Sequence, residues 1–595
     1  MVLSNSQWWA ASGEEAAGWV PKGAVWFDGV ADEMTRTMST GTEEVFTISF
    51  WEKLALAESA SLYPTQFSAT SGGAAASSIQ HDMDSGSDGM LYFNSSVDNY
   101  PNLGTTAAFR DPTAWRHVFI AYDSTPASPN VDNIYIAVNG VKITDYRGLV
   151  RYSAQDGVTD FNTANVHYIG SRKSDATQWF NGYLSEFVFL NGVAAVPSDF
   201  GEENSDGVWI PKDPTDIIAT ASATNTFWLD FADSGGTDAV NLGLDVSGND
   251  NHFTPVSMSS ANWTYDRPVN SGSDTGNYCT WNAAAPENQS ALTYTNGNLT
   301  VNCVNSSGAM GTVCTTETGK WYYEITMDVD NTYGTVGLIG AALNIQTGGL
   351  DGNEAAEWMW QDSSGVTRNN SSAGPTLSTF TAGNVLGWAI DFDNDLIWCH
   401  KDGVWENGAT LAEVVAGTST NAVWSGTLAA AAGGITPSAG CNGGTSSTFS
   451  LNCGQSAFNT AIPTGFKKIN TANLPAPSIT KPSDHFLPIL YEGNGGGQRV
   501  GNFIPFTDAY AVDDSAMFIS GDSNYLTRTP GTPSSSTVGT FSFWIKRGVL
   551  GAYQTLLQQD WPSGSEAVLC RFNSDDTFLF RMEDTDGYYV IDRST

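Results

Sequence analysis

Short alternating runs of apolar and polar residues, separated by clusters of Gly, Asn, Asp and Ser, recur along the chain. In Val45-Phe46-Thr47-Ile48-Ser49-Phe50-Trp51, Asn133-Ile134-Tyr135-Ile136-Ala137-Val138 and Trp321-Tyr322-Tyr323-Glu324-Ile325-Thr326-Met327, residues two apart share a face. A half-buried antiparallel strand requires that period. Few windows place apolar residues at i, i+3, i+4 and i+7, so helices are expected to contribute little. Val138-Asn139-Gly140-Val141 predicts a hairpin, because Asn-Gly supplies the positive φ angles of a tight turn. The expected fold is all-β: tandem antiparallel β-sandwiches (jelly rolls) joined by loop-rich linkers.

Two distant stretches repeat one another. Ala24-Val25-Trp26-Phe27-Asp28-Gly29, Thr35-Arg36-Thr37 and Phe50-Trp51 reappear as Ala516-Met517-Phe518-Ile519-Ser520-Gly521, Thr527-Arg528-Thr529 and Phe543-Trp544. The offset is 492 residues in the first two blocks and 493 in the last. A repeated module points to a binding or building protein more than to an enzyme. The second copy runs only to Thr595, about half of what the first needs, and an open half-sandwich would expose unpaired edges. Either the native chain continues or another chain completes this half-sandwich, and continuation is the expectation.

The module's residues carry a family resemblance. Trp115-Arg116-His117-Val118, Tyr168-Ile169-Gly170 and Phe180-Asn181-Gly182-Tyr183-Leu184-Ser185-Glu186-Phe187 follow the opening strands in the order of a laminin-G-like, concanavalin A-like jelly roll. The last piece resembles that family's closing strand. Further on, Gly319-Lys320-Trp321-Tyr322-Tyr323-Glu324-Ile325, Gly383-Asn384-Val385-Leu386-Gly387-Trp388-Ala389-Ile390-Asp391-Phe392-Asp393 and Leu396-Ile397-Trp398-Cys399-His400-Lys401-Asp402-Gly403 resemble a SPRY domain. Asp245-Val246-Ser247-Gly248-Asn249-Asp250-Asn251 is similar to a turn of concanavalin A-like modules in environmental phage proteins. The expected organisation is an N-terminal segment (1–23), a laminin-G-like sandwich (24–196), a connector (197–274), a SPRY-like sandwich (275–470), a Pro/Gly-rich linker (471–511) and the start of a second laminin-G-like module (512–595).

Charge narrows the partners. The chain of 595 residues has 25 Lys and Arg against 63 Asp and Glu, a net −38. A polyphosphate partner needs a basic footprint, so nucleic acid is excluded as the main ligand. Docking on anionic lipid is disfavoured for the same reason. No apolar stretch reaches the roughly 18 residues of a membrane span, and Met1-Val2-Leu3-Ser4 lacks the basic start of a signal peptide.

Candidate chemistry is sparse. The glucanase pattern E-x-D-x-x-E, which sets carboxylates on one side of a strand, does not occur; Glu324 and Asp328 come nearest. The histidines His81, His117, His167, His252, His400 and His485 stand singly, with no H-E-x-x-H. No cofactor is implied except calcium, common at a loop edge in laminin-G-like modules, for which Asp245, Asn249 and Asp250 offer oxygen ligands. Turn formation is the other reading of those residues. Trp358, Trp360 and Trp405 are the candidates for a ligand-stacking surface, with core packing as the alternative, whereas Trp51 and Trp544 are expected in the core. Seven cysteines without a C-x-x-C are expected as buried thiols, or as late-formed disulfides such as Cys441–Cys453.

The resemblances imply a virion protein of a tailed, marine phage: a fibre or spike that attaches to host surface glycans or proteins, assembled in the host cytoplasm with other virion proteins. A homo-oligomer, with trimers common in such fibres, is expected, and no catalysis. A capsid decoration protein, a secreted adhesin and a glycan-active protein are the alternatives.

Overall fold

The computed structural model describes residues 18–55, 63–70, 76–83, 89–95, 101–109, 111–148, 150–172, 178–205, 207–232, 239–284, 292–341, 343, 350–441, 446–475, 489–491, 498–500, 518, 525–529, 531, 540–543, 545, 547, 549, 551–560, 566–584 and 587–593. They form antiparallel sheets with a few short helices, and two compact units divide the chain at Pro505.

The first unit holds two sandwiches. In the first, an eight-stranded sheet has Val45–Leu54 between Arg116–Asp123 and Asn181–Asn191. It faces a seven-stranded sheet that includes Glu33–Thr37, Thr65–Thr70 and Ala76–Asp82. Phe46, Ile48 and Phe50 point between the sheets with Phe67, Phe187 and Phe189. This is the alternation read from sequence, and the Asn139-Gly140 turn has the expected φ of 47° and 77°.

Residues 197–274, expected to be a connector, complete this sandwich instead. Phe227–Leu229 pairs with Asn181–Asn191, Thr254–Val256 with Glu33–Thr37, and Trp263–Thr264 with Ala24–Asp28. Phe200, Ile218 and Trp228 also cover the back of the eight-stranded sheet over Phe119, Tyr135, Val188 and Leu190. The sheet is therefore buried on both faces, and every residue of Asn181–Asn191 is buried.

The second sandwich packs a nine-stranded sheet, containing Lys320–Val329, Val385–Asp391 and Leu396–Lys401, on a six-stranded one containing Gly334–Gly340 and Glu357–Gln361. Its core runs from Tyr278 to Leu474 and includes Trp281, Trp321, Trp358, Trp360 and Trp388. Gly337 is required where strands close in, since a β-carbon there would lie 1.9 Å from the Trp358 carbonyl oxygen. Helix Leu411–Ala416 is capped by Thr410, with Gly417 in the left-handed conformation closing its other end.

The second unit contains a four-stranded meander, Gln554–Asp560, Glu566–Phe572, Phe578–Asp584 and Gly587–Arg593. Most of the repeated motif there, Trp544 included, lies outside the described residues.

Candidate functional site

The two sandwiches of the first unit are joined by a sealed polar seam. Lys53, only 1 % exposed at its side chain, pairs with the buried Asp266, and its Nζ donates to Asn277 Oδ1 at 3.0 Å. Trp115 Nε1 donates to the other Asp266 oxygen at 2.7 Å. The Lys53 ammonium lies over the Tyr183 ring, 4.6 Å from its centroid, and the Tyr183 hydroxyl donates to the Gly297 carbonyl of the second sandwich at 2.7 Å. Burial raises the Asp266 pKa, with the Lys53 ammonium the foremost opposing influence.

Several buried titratable groups are likewise occupied. Glu52 lies between the sheets of the first sandwich, accepting from Gln66 Nε2 at 2.7 Å and bonding His81 Nε2 at 2.8 Å, with Arg116 at 3.6 Å. Burial opposes its charge, yet His81 and Arg116 leave its pKa lowered. Ser49 and Trp209 hold the two ring nitrogens of His117, at 2.8 and 3.1 Å. Burial pushes His117 down to about 3 and His167 and His400 to about 4, so these rings are neutral at physiological pH. In the second sandwich, His400 Nε2 meets the Tyr322 hydroxyl at 2.7 Å, and that hydroxyl donates to Glu324 at 2.8 Å. The backbone amides of Asn459 and Thr460 close over Glu324 at 2.8 and 2.9 Å. Glu324 is thus buried, while Asp328 is exposed and accepts from Ser450. The two do not form a facing pair.

The sequence candidates fare unevenly. Trp358 and Trp360 are both 0 % exposed, so neither offers a ring face to a ligand. Their indoles donate inward, to Thr427 Oγ1 at 2.9 Å and the Ser378 carbonyl at 3.1 Å. Trp405 is half-buried and packs edge-on against His400 at 5.0 Å. Asp245, Asn249 and Asp250 do not converge as calcium ligands. The Asp245 carboxylate already accepts from the amides of Trp228, Ser247 and Asn251 and from the Ser247 hydroxyl, all at 2.8–2.9 Å. Asn249 Nδ2 donates to the Thr226 carbonyl, and the Asp250 side chain is 91 % exposed. A hard cation needs six or more oxygens, and this turn uses its best ones on itself. Among the described residues no group of three His, Cys, Asp or Glu is placed to hold a metal ion.

The seven cysteines are thiols and not disulfides, Cys441 and Cys453 included, and six of them are buried. No helix among the described residues is long and apolar enough to cross a membrane.

Sequence pattern passes over one exposed feature, the connection Asp330-Asn331-Thr332-Tyr333 between the sheets of the second sandwich. Asp-Asn signals a turn there, but nothing in the pattern shows that Tyr333 takes a φ of 70° with its ring half exposed.

Residues 28–195 match the family model described as the concanavalin A-like lectin/glucanases superfamily. Against curated proteins the chain has no significant match. Among solved structures it is similar to the SPRY domain of human HERC1, at 14 % identity, 26 % of this chain, 87 % of that one and a TM-score of 0.20. The PSpry domain of TRIM65 gives 13 % identity, 29 % and 88 % coverage and a TM-score of 0.21. The heptameric SAP-like pentraxin of Limulus polyphemus gives 14 % identity, 30 % and 73 % coverage and a TM-score of 0.19.

Proposed function

We propose that this chain is an attachment protein that binds glycans or proteins through the outer loops of its sandwiches and has no reactive centre. The carrying observation is that Glu52 between the sheets of the first sandwich, and His117, Glu324 and His400 on covered sheet faces, are buried and already bonded within the fold. Ligand contact is left to surfaces that rigid sheets hold in place. The lectin/glucanase match over residues 28–195 supports a carbohydrate-binding lineage for the first sandwich.

In its particular form, the proposal is a tail fibre or spike of a tailed bacteriophage, assembled as a homo-oligomer in the host cytoplasm and carried on the virion. The repeated 24–51 and 516–544 blocks and the phage-like turn at Asp245–Asn251 support this reading. Several weak contacts per fibre would then combine through effective concentration. Labelling purified particles with an antibody to this chain tests the placement. Label on tails, with antibody blocking adsorption to host cells, is the expected result. Label on heads supports a decoration protein instead, and no label on particles removes the virion reading.

A further inference from the structure

We propose that Tyr333 is a stacking platform for a neutral pyranose, presented by the loop Asp330–Tyr333 at one end of the second sandwich. This rests on the attachment reading above and names one of its contact points. Among the described residues, non-glycine positions with positive φ are Asn, Asp or Ser except at Glu186, Phe231, Thr332 and Tyr333. Glu186 and Phe231 are buried, at 5 and 1 % exposure, whereas Tyr333 is 51 % exposed. A β-branched and an aromatic residue in succession at φ 65° and 70° are costly, and a tyrosine left half exposed recovers little of that cost by burial.

The strained backbone is pinned from below. The buried Asp362 carboxylate accepts from the amides of Tyr333 and Gly334 at 3.1 and 2.7 Å. Asn331 Nδ2 donates to the Ser446 carbonyl at 2.7 Å, and Thr332 N donates to Asp330 Oδ1 at 2.9 Å. A half-exposed aromatic ring is thus carried on a backbone fixed at four points, which lowers the ordering cost of using it as a contact residue.

Charge selects the ligand. The loop carries the Asp330 carboxylate and the Asn331 amide oxygen and no Lys or Arg, on a chain of net charge −38. Its free polar valence is therefore for hydrogen-bond donors without negative charge. Sugar hydroxyls supply such donors, and the C–H face of a pyranose covers a phenol ring. A uronic acid would bring a like charge to Asp330.

Saturation-transfer NMR on the full chain tests this, with methyl glucoside, mannoside and galactoside against glucuronate and choline. The expected result is transfer to at least one neutral pyranoside and none to glucuronate. Tyr333→Phe should keep affinity within about twofold, since the ring face remains. Tyr333→Gly should weaken binding by about tenfold or more and, by relieving the positive φ, raise the melting temperature by about 2–4 °C. Binding unchanged in Tyr333→Gly, a lowered melting temperature in that variant, or transfer to choline alone each overturns the assignment. If Tyr333→Gly still adheres to cells as the parent does, the platform fails and the attachment reading stands. If the parent binds pyranosides but adheres to no cell, the attachment reading fails by itself.

Discussion

Trp228 Nε1 donates to the carboxyl of Glu186 at 2.9 Å, on a bulge where Glu186 holds a φ of 50°. Burial, then the neighbouring Asp230, pushes the Glu186 pKa up to about 8. The carboxyl is therefore neutral in the folded protein at pH 7, whereas in the unfolded chain it ionises near its ordinary value.

Below about pH 4.5 both states are protonated. Between there and pH 8 only the unfolded state releases its proton, so stability falls as pH rises. Glu186→Gln keeps an acceptor for Trp228 and removes the ionisation. It should be more stable than the parent by on the order of 2–4 kcal/mol at pH 8, with the two converging near pH 4. Urea unfolding across pH 4–9 checks this, and parallel pH profiles would contradict it.

The Lys53–Asp266 pair makes a second expectation. Lys53→Met leaves the Asp266 carboxylate buried at 0 % exposure without its cation. Such a loss should cost about 3–5 kcal/mol. Replacing both, Lys53→Met with Asp266→Leu, should recover most of it, since apolar pairs often substitute for buried ion pairs. Chemical denaturation of the single and double variants decides; additive losses would show that the pair does not act as a unit.

Trp51 is 2 % exposed and stacks at 5.2 Å on His117, whose ring in turn packs against Phe200 and Trp209. Trp51→Ala should cost about 3–5 kcal/mol. An unchanged melting temperature would mean that this face is not packed as described.

The strand alternation, the Asn139-Gly140 turn and the Phe180–Phe187 closing strand were legible in the sequence because each is a local pattern. The role of 197–274 was not. Its strands are two or three residues long, as in Phe227–Leu229 and Trp263–Thr264, too short for a period to show. The same segment covers the sheet face that alternation marks as wet, which is why Thr47, Ser49 and Glu186 are buried. Trp358 and Trp360 misled for a related reason. Glu357-Trp358-Met359-Trp360 is buried on both faces, the tryptophans in the main core and Met359 in a smaller cluster, so its aromatics have no exposed side. Tyr333 escaped notice because positive φ is set by the closure of Asp330–Tyr333 onto Asp362, a contact across 29 residues.

An attachment protein binds its ligand without turning it over. The most direct measurement incubates the purified chain with immobilised host-surface polysaccharide, and scores retained protein and released reducing ends in the same wells. Retention with no reducing ends above a protein-free blank is the expected result. Release of reducing sugar, or failure to be retained on any surface glycan or protein preparation, would contradict the account.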